Sequence, residues 1–342
     1  MNKNIIALLS AVLVIVIAVF VFILNGGKNE RQRDNENSTN LSSEDPFKFI
    51  DGTEDTHAFG KGKFISSGIV NSNSDNMIIE YDGAPILLEY EFSCGDPCVM
   101  GLMIYVNGFL QPYTVKPSQE TVMHTVELGS DDTKRFQFEF TPVCGAAGEN
   151  LRIVFANIYN ARVIELSDSV GANTFGSNHK ISQSLPWTLK MNAKSPAVNL
   201  KSSGSYDIKE FSNTDKENFT RTNSDGNKRN MLDDTCITEV RENDRVLGGK
   251  LKVKKGEPTE LNIYVYGNNT GKYRVSLYGD FLQIPIGGYN YIDIAVKKDA
   301  YAVIPFSADF DTLKIKNLYA VAVPLDFNNF LEKSPSVYIV TE

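Results

Sequence analysis

The sequence predicts an all-β body: an N-terminal transmembrane helix followed by two antiparallel β-sandwich domains. Three observations carry this expectation. Ile5 to Leu24 is an unbroken apolar run in which Ser10 is the only polar side chain. Two later regions are dense in Val, Ile, Tyr, Phe and Thr and are cut every few residues by Gly, Pro, Asn or Asp, the punctuation of a sandwich or barrel. Outside the first run no stretch sustains helical spacing beyond about two turns, so helices are expected only as short connectors.

The apolar run comes first. At about 1.5 Å rise per residue, a helix over residues 5–25 matches the roughly 30 Å hydrocarbon core of a bilayer. A cleavable signal has an apolar region of about 7–15 residues and ends at a small-x-small site. This run is longer and leaves through Phe22, Ile23, Leu24 and Asn25. It reads as an uncleaved, single-pass anchor behind a short tail, residues 1–4, with the lipid bilayer as a partner through Ile5–Leu24. Ala7, Ser10, Ala11 and Ala18 form only a partial stripe of small residues, which favours a plain anchor over a helix packed within a membrane complex.

Orientation draws two opposed arguments. Lys3 stands alone before the run, while Lys28, Arg31 and Arg33 follow it, and the positive-inside rule would place the body in the cytoplasm. The strand-rich body and its cysteines, spaced so that bridges are geometrically reasonable, point instead to an oxidising compartment. The extracytoplasmic side of the cell membrane is the expectation, with the charge count against it.

Composition narrows the partners. The 342 residues carry a net charge of −8, with a sequence pI near 5.1 and 42% hydrophobic content. No segment of the body gathers lysine and arginine into a continuous patch, so no nucleic acid is expected, because phosphate neutralisation supplies most of that affinity. An acidic body is also repelled by an anionic lipid surface, so it should project from the membrane.

Residues 26–48 have no apolar periodicity and read as a disordered polar stalk. Residues 58–192 read as the first sandwich. The stretch 193–233, with SSGS at Ser202 to Ser205 and NSDGNKRN at Asn223 to Asn230, reads as a polar linker, and 234–342 as the second sandwich. Asn107-Gly108 is the strongest hairpin signal, because a two-residue type I′ turn needs positive φ at both positions. Asn107-Gly108-Phe109-Leu110-Gln111-Pro112 is echoed by Gly279-Asp280-Phe281-Leu282-Gln283-Ile284-Pro285, although the strand before the turn slips by one residue. Internal duplication and independent use of one hairpin chemistry both fit. Pro186-Trp187-Thr188-Leu189 and Pro335-Ser336-Val337-Tyr338-Ile339 are candidate closing strands.

Four cysteines are present: Cys94, Cys98, Cys144 and Cys236. Zinc would need a second close pair of Cys or His, and His57, His124 and His179 are isolated in sequence, so no metal is expected. Disulfides fit better. Counting strand directions places the turn holding Cys144 at the same end as Cys94 and Cys98; a local Cys94–Cys98 bridge is the alternative. Asp131-Asp132 and Asp309 with Asp311 sit in turns but approach no calcium-loop pattern. No hydrolase or phosphate-loop motif is present, so no catalytic residue, enzyme activity or cofactor is expected. The recognition candidates are Tyr278, Phe281, Tyr289 and Tyr291, whose rings suit either a binding face or a sheet core, and Trp187 shares the ambiguity.

In architecture the strand pattern is similar to immunoglobulin-like or fibronectin-like modules, which serve many functions. The expected function is a non-catalytic surface binding or adhesion module for an unidentified carbohydrate or protein. Two alternatives stand beside it: an accessory docking subunit of a membrane transport or secretion complex, and a surface glycan hydrolase.

Overall fold

A computed structural model describes residues 65–70, 77–116, 120–162, 179–183, 185–196, 204–222, 226–233, 236–267, 271–326 and 330–342. The expected anchor and stalk lie outside them. Among the described residues no helix is long and apolar enough to cross a membrane. All the described residues lie in one compact unit.

Strands β1 (Ile65–Ile69), β2 (Ile78–Tyr81), β3 (Ile86–Cys94), β4 (Cys98–Val106), β5 (Phe109–Leu110) and β6 (Tyr113–Val115) open the first sandwich. It continues through β7 (Glu120–Thr121), β8 (His124–Leu128), β9 (Asp132–Phe140), β10 (Asn150–Tyr159), β11 (Ile181–Gln183) and β12 (Trp187–Met191). One sheet runs β1-β3-β9-β6-β7; the other runs β2-β12-β10-β4-β5, with β8 also on β4 and β11 on β10. Tyr90, Phe92, Phe138 and Phe155 fill the space between them.

The stretch read as a polar linker supplies β13 (Asp207–Glu210), helix α1 (Asn213–Asn218) and the hairpin β14 (Thr220–Thr222) and β15 (Lys228–Asn230). The second sandwich adds β16 (Ile237–Glu242), β17 (Arg245–Val246), β18 (Gly249–Val253), β19 (Thr259–Tyr266), β20 (Gly271–Gly279) and β21 (Leu282–Ile284). Strands β22 (Ile292–Val296) and β23 (Ala300–Ala308), helix α2 (Phe310–Leu313), and β24 (Asn317–Pro324), β25 (Glu332–Lys333) and β26 (Val337–Thr341) complete it. Its sheets run β13-β23-β19-β16-β17 and β18-β26-β24-β20-β21, with β22 on β20 and β25 on β24.

The stacked sheets of the two sandwiches share one topology. In the other sheets β3 and β9 match β19 and β23, but β9 is flanked by β6 from within the first sandwich and β23 by β13 from the segment before the second. In the stacked sheets the matches run further. β2 matches β18, β4 matches β20, β10 matches β24 and β12 matches β26, and each closing strand pairs parallel to its early neighbour. That parallel pair departs from the all-antiparallel expectation. The register places Asn107-Gly108 on Asp280-Phe281, since Val106 faces Phe109 and Gly279 faces Leu282 across the two loops. Backbone contacts agree: Asn107 donates to the Arg152 carbonyl at 2.7 Å, and Asp280 to that of Asn317 at 2.9 Å. The Phe-Leu-Gln echo in the sequence is thus one residue out of structural register.

The equivalent sheets pack on each other through equivalent faces. Tyr105, Val154, Ala156, Ile158 and Ile181 share one apolar cluster with their counterparts Tyr278, Tyr319, Val321, Val323 and Leu331. Every residue of β4 and β24 is consequently buried, which explains their unbroken apolar runs. A buried aliphatic or aromatic side chain contributes about 1.5–3 kcal/mol, against roughly 0.5–1.5 kcal/mol for a neutral hydrogen bond. The apolar layer holds the sandwiches together, and polar contacts at its rim fix their register.

The cysteine expectation needs correction. All four are free thiols, and Cys144 lies at the opposite end of the first sandwich from Cys94 and Cys98. Its thiol points to the Val106 carbonyl at 3.7 Å, whereas Cys98 begins the same nine-residue strand. That separation is roughly 26 Å at about 3.3 Å per residue. The strand count failed at Thr121–His124, where one expected strand is two. β7 pairs with β6 and β8 with β4, so the chain reverses between them. The Thr121 hydroxyl ties that reversal, accepting from the Met123 amide at 3.1 Å and donating to its carbonyl at 2.8 Å.

Candidate functional site

The four aromatic candidates lie at or beneath the second sandwich's inner surfaces. Tyr278 and Phe281 are buried in the layer between the sandwiches. Tyr291 is buried too; its ring meets Phe109 edge-on at 4.9 Å, and the Arg274 guanidinium lies 3.5 Å from the Phe109 centroid and 4.4 Å from that of Tyr291. Arg274 binds both oxygens of Asp293, at 2.7 and 2.8 Å, and donates to the Asn107 carbonyl at 2.7 Å, tying the first hairpin to the second sandwich. Tyr289 is half-buried on the second core and closes a turn around Gly287-Gly288. Trp187 packs edge-on against Phe155 in the first core.

The turn carboxylates have local duties. Asp132 accepts the Gly129 amide at 3.1 Å, and Asp309 caps α2 by accepting the amides of Asp311 and Thr312. Among the described residues no three His, Cys, Asp or Glu gather as a metal would need. A groove of about 330 Å³ between α2 and β26 carries one carboxylate, Asp311, beside Lys314 and Lys316. Glycoside hydrolysis uses a facing pair of acids.

One cluster has the chemistry of a nucleophile. Lys333 Nζ donates to Ser336 Oγ and to the Ser334 carbonyl, each at 2.8 Å, and lies 4.6 Å from the Tyr319 ring centroid. His179 Nδ1 is 3.3 Å from Ser336 Oγ, and Nε2 is 2.5 Å from the Arg162 carbonyl. A carbonyl only accepts, so Nε2 carries the proton and the Nδ1 lone pair faces the Ser336 hydroxyl. Burial pushes Lys333 down to about 7 and His179 down to about 4. A serine with bases in reach is how hydroxyls are activated. Here, however, Ser336 and His179 are fully buried. Residues 162 and 179 belong to the first sandwich, 333 and 336 to the second, so the cluster joins the two. Sequence reasoning treated His179 as isolated because its partner is 157 residues away.

The outer faces of the two sandwiches have diverged. Arches 129–131 and 297–299 match, with Asp131 and Asp299 both at positive φ. Counting from them, the Glu91–Arg135 pair corresponds to Tyr264–Val303, and Ser93–Thr133 to Tyr266–Tyr301. In the first sandwich these are solvent-facing polar contacts, at 2.6 and 2.9 Å. In the second they form an aromatic layer, with Tyr264 stacked on Tyr301 at 5.6 Å. Arg241 lies 4.5 Å from the Tyr264 centroid, pairs with Glu239 at 2.7 Å and donates to the Tyr266 hydroxyl at 2.7 Å.

The segment between the sandwiches covers this layer. Phe211, Phe219 and Leu232 pack on Tyr264, Tyr266 and Val303, with the Phe219 and Tyr266 rings 5.0 Å apart. Ser212 starts α1 through a reciprocal capping box with Asp215. The result is a cap anchored by the β13–β23 backbone pairing and by three apolar side chains, and displaying β13, β14 and most of α1 to solvent. Alternating tyrosines at 264 and 266, on what would otherwise be a solvent face, are the sequence signal that could have revealed it.

No protein-family model and no curated protein sequence matches the chain. Among solved structures, it is similar to a protein of unknown function from Porphyromonas gingivalis W83 at 7% identity and a TM-score of 0.22, over 80% of this chain and 99% of that one. The Pseudomonas aeruginosa CupB2 chaperone is similar at 7% identity and a TM-score of 0.20, over 76% and 96%. Fibronectin(III)-like modules of Clostridium thermocellum CbhA are similar at 8% identity and a TM-score of 0.19, over 81% and 95%. At that similarity none bears on what this chain does.

Proposed function

We propose that the chain is a membrane-anchored, extracytoplasmic surface module that binds a carbohydrate or protein without catalysis, and that the cap of residues 204–233 is its recognition element. The observation that carries this reading is the asymmetry between two halves whose stacked sheets share one topology. One outer face is an ordinary solvated sheet; the other holds an added segment in place. Recognition elements are commonly surface segments positioned by a rigid scaffold. The sealed Lys333–Ser336–His179 cluster fits a non-catalytic role, since no substrate reaches its hydroxyl while the sandwiches stay together.

The test displays the full-length chain on cells and probes intact cells with an antibody to the body, then measures adhesion to immobilised glycans and to host or neighbouring cell surfaces. Surface staining without permeabilisation, with adhesion lost when exposed cap residues such as Lys209 and Arg221 are replaced by Ser, supports the proposal. Staining only after permeabilisation, or adhesion unchanged by cap variants, rejects it.

A further inference from the structure

We propose that Cys94 and Cys98 are a redox-active pair: with a low-molecular-weight disulfide as oxidant they close a bond across the arch joining the two sheets of the first sandwich, while Cys144 and Cys236 take no part. Cys94 ends β3 in one sheet and Cys98 begins β4 in the other, with only Gly95-Asp96-Pro97 between them. Both side chains turn into the same core and are 3% and 7% exposed.

Cys94 pairs with Asp132 and Cys98 with Leu128, so the two cysteines flank the ends of one arch, residues 129–131. Cys94 Sγ donates to the Asp96 carbonyl at 2.9 Å and lies 3.5 Å from that of Gly129. The 129–131 arch pins the cysteines' own, because the Asp131 amide and the Ser130 hydroxyl both donate to the Gly95 carbonyl at 3.1 Å. Two cysteines joined by a three-residue arch, with side chains in one core, need little backbone movement to bond.

The other pairings fail on position. Cys144 sits at the far end of the same sandwich, and Cys236 is buried in the core of the second. The reaction is thiol–disulfide exchange. Local opening of the arch exposes the pair; one cysteine thiolate then attacks a sulfur of oxidised glutathione and expels a glutathione thiolate, and the other attacks the mixed disulfide and expels the second. Two protein thiols are oxidised, one glutathione disulfide is reduced to two thiols, and the two protons pass to the released thiolates or to solvent. Burial and the neighbouring Cys94 push the Cys98 thiol up to about 12, so thiolate is scarce at neutral pH and exchange should quicken as pH rises.

The experiment incubates purified full-length chain in detergent with oxidised glutathione, blocks free thiols after denaturation with N-ethylmaleimide, and maps peptides by mass spectrometry. The expected result is an internally bridged peptide containing residues 94 and 98, two mass units lighter than its reduced form, with Cys144 and Cys236 carrying maleimide. Full alkylation of Cys94 and Cys98, or a bridge that includes Cys144 or Cys236, overturns the proposal. The wild-type chain suffices, so no variant's folding enters the result. The outcome is also independent of the binding reading, since a chain that binds nothing still oxidises or does not.

Discussion

Tyr105 and Tyr278 occupy equivalent positions in the two sandwiches and meet in the layer between them. Burial, together with the nearby phenols of Tyr278 and Tyr319, holds the Tyr105 hydroxyl well above its ordinary titration range. A residue facing its own counterpart is the signature of an isologous contact, such as a two-fold homodimer uses. Here one chain supplies both sides.

The hairpin loops give the first prediction. Gly108 has φ +78°, and an added Cβ would stand 3.0 Å from side-chain atoms of Arg274 and Leu325. Its counterpart Phe281 adopts φ +70° as a buried aromatic and meets His179 edge-on at 5.0 Å. Left-handed backbone costs a non-glycine residue about 1–2 kcal/mol, and truncating a buried Phe to Ala costs roughly 3–5 kcal/mol. Phe281→Ala keeps the backbone cost and loses the packing; Phe281→Gly loses only the packing. Glycine should therefore be the milder substitution by about 1 kcal/mol, the reverse of the usual order. Denaturant midpoints of the two variants decide it.

Acid and base should act on the cluster between the sandwiches. His179 titrates near 4 in the folded chain, below its ordinary 6.5, so on acidification the unfolded state takes up the proton first. Stability should be lost as pH falls through that window. Lys333 titrates near 7 instead of 10.5, so the unfolded state holds more protons between those values and stability should rise with pH across them. Melting temperatures measured across pH should show both slopes. Lys333→Met should flatten the alkaline one and His179→Gln the acid one, each leaving the other in place.

Arg274 offers a test of geometry over charge. Its planar fork serves Asp293 with two bonds while stacking between Phe109 and Tyr291, which a lysine ammonium cannot reproduce. Arg274→Met should destabilise by roughly 2–4 kcal/mol, from a lost charged hydrogen-bond set and a lost cation–π contact. Arg274→Lys should recover less than half of that in the same unfolding assay.

The part of the cap beyond β13, helix α1 and the β14–β15 hairpin, should detach before the sandwiches melt. β13 is hydrogen-bonded to β23, whereas this part is held chiefly by Phe211, Phe219 and Leu232. Phe219→Ala should cost about 3–5 kcal/mol locally. Limited proteolysis should then cut within α1 or the β14–β15 hairpin at temperatures where the remainder stays resistant. Equal resistance of variant and wild type would argue against a separately anchored cap.

The strands and the Asn107-Gly108 hairpin were legible because each rests on local chemistry: alternation, turn residues and positive φ. Direction was lost at Thr121–His124, where a hydroxyl rather than a glycine or proline makes the turn. The stacking of the sandwiches was written in the apolar runs of β4 and β24, but two-sided burial and a single buried core read alike without a partner in view. Phe211, Phe219 and Leu232 looked incidental within a polar stretch because their partners lie on β19 and β23. The Lys333–Ser336–His179 cluster had no local signal at all, since only the packing of two sandwiches brings residues so distant in sequence together.

The face-to-face pairing of equivalent sheets in one chain has a thermodynamic consequence. A homodimer built on such a contact dissociates on dilution and must repeat every surface change on both subunits. Here the association is intramolecular, so it holds at any protein concentration. A substitution on one outer face has no obligatory copy on the other. The stoichiometry of one cap per two sandwiches is therefore fixed by covalent connection, and the polar face of the first sandwich stays free to change on its own.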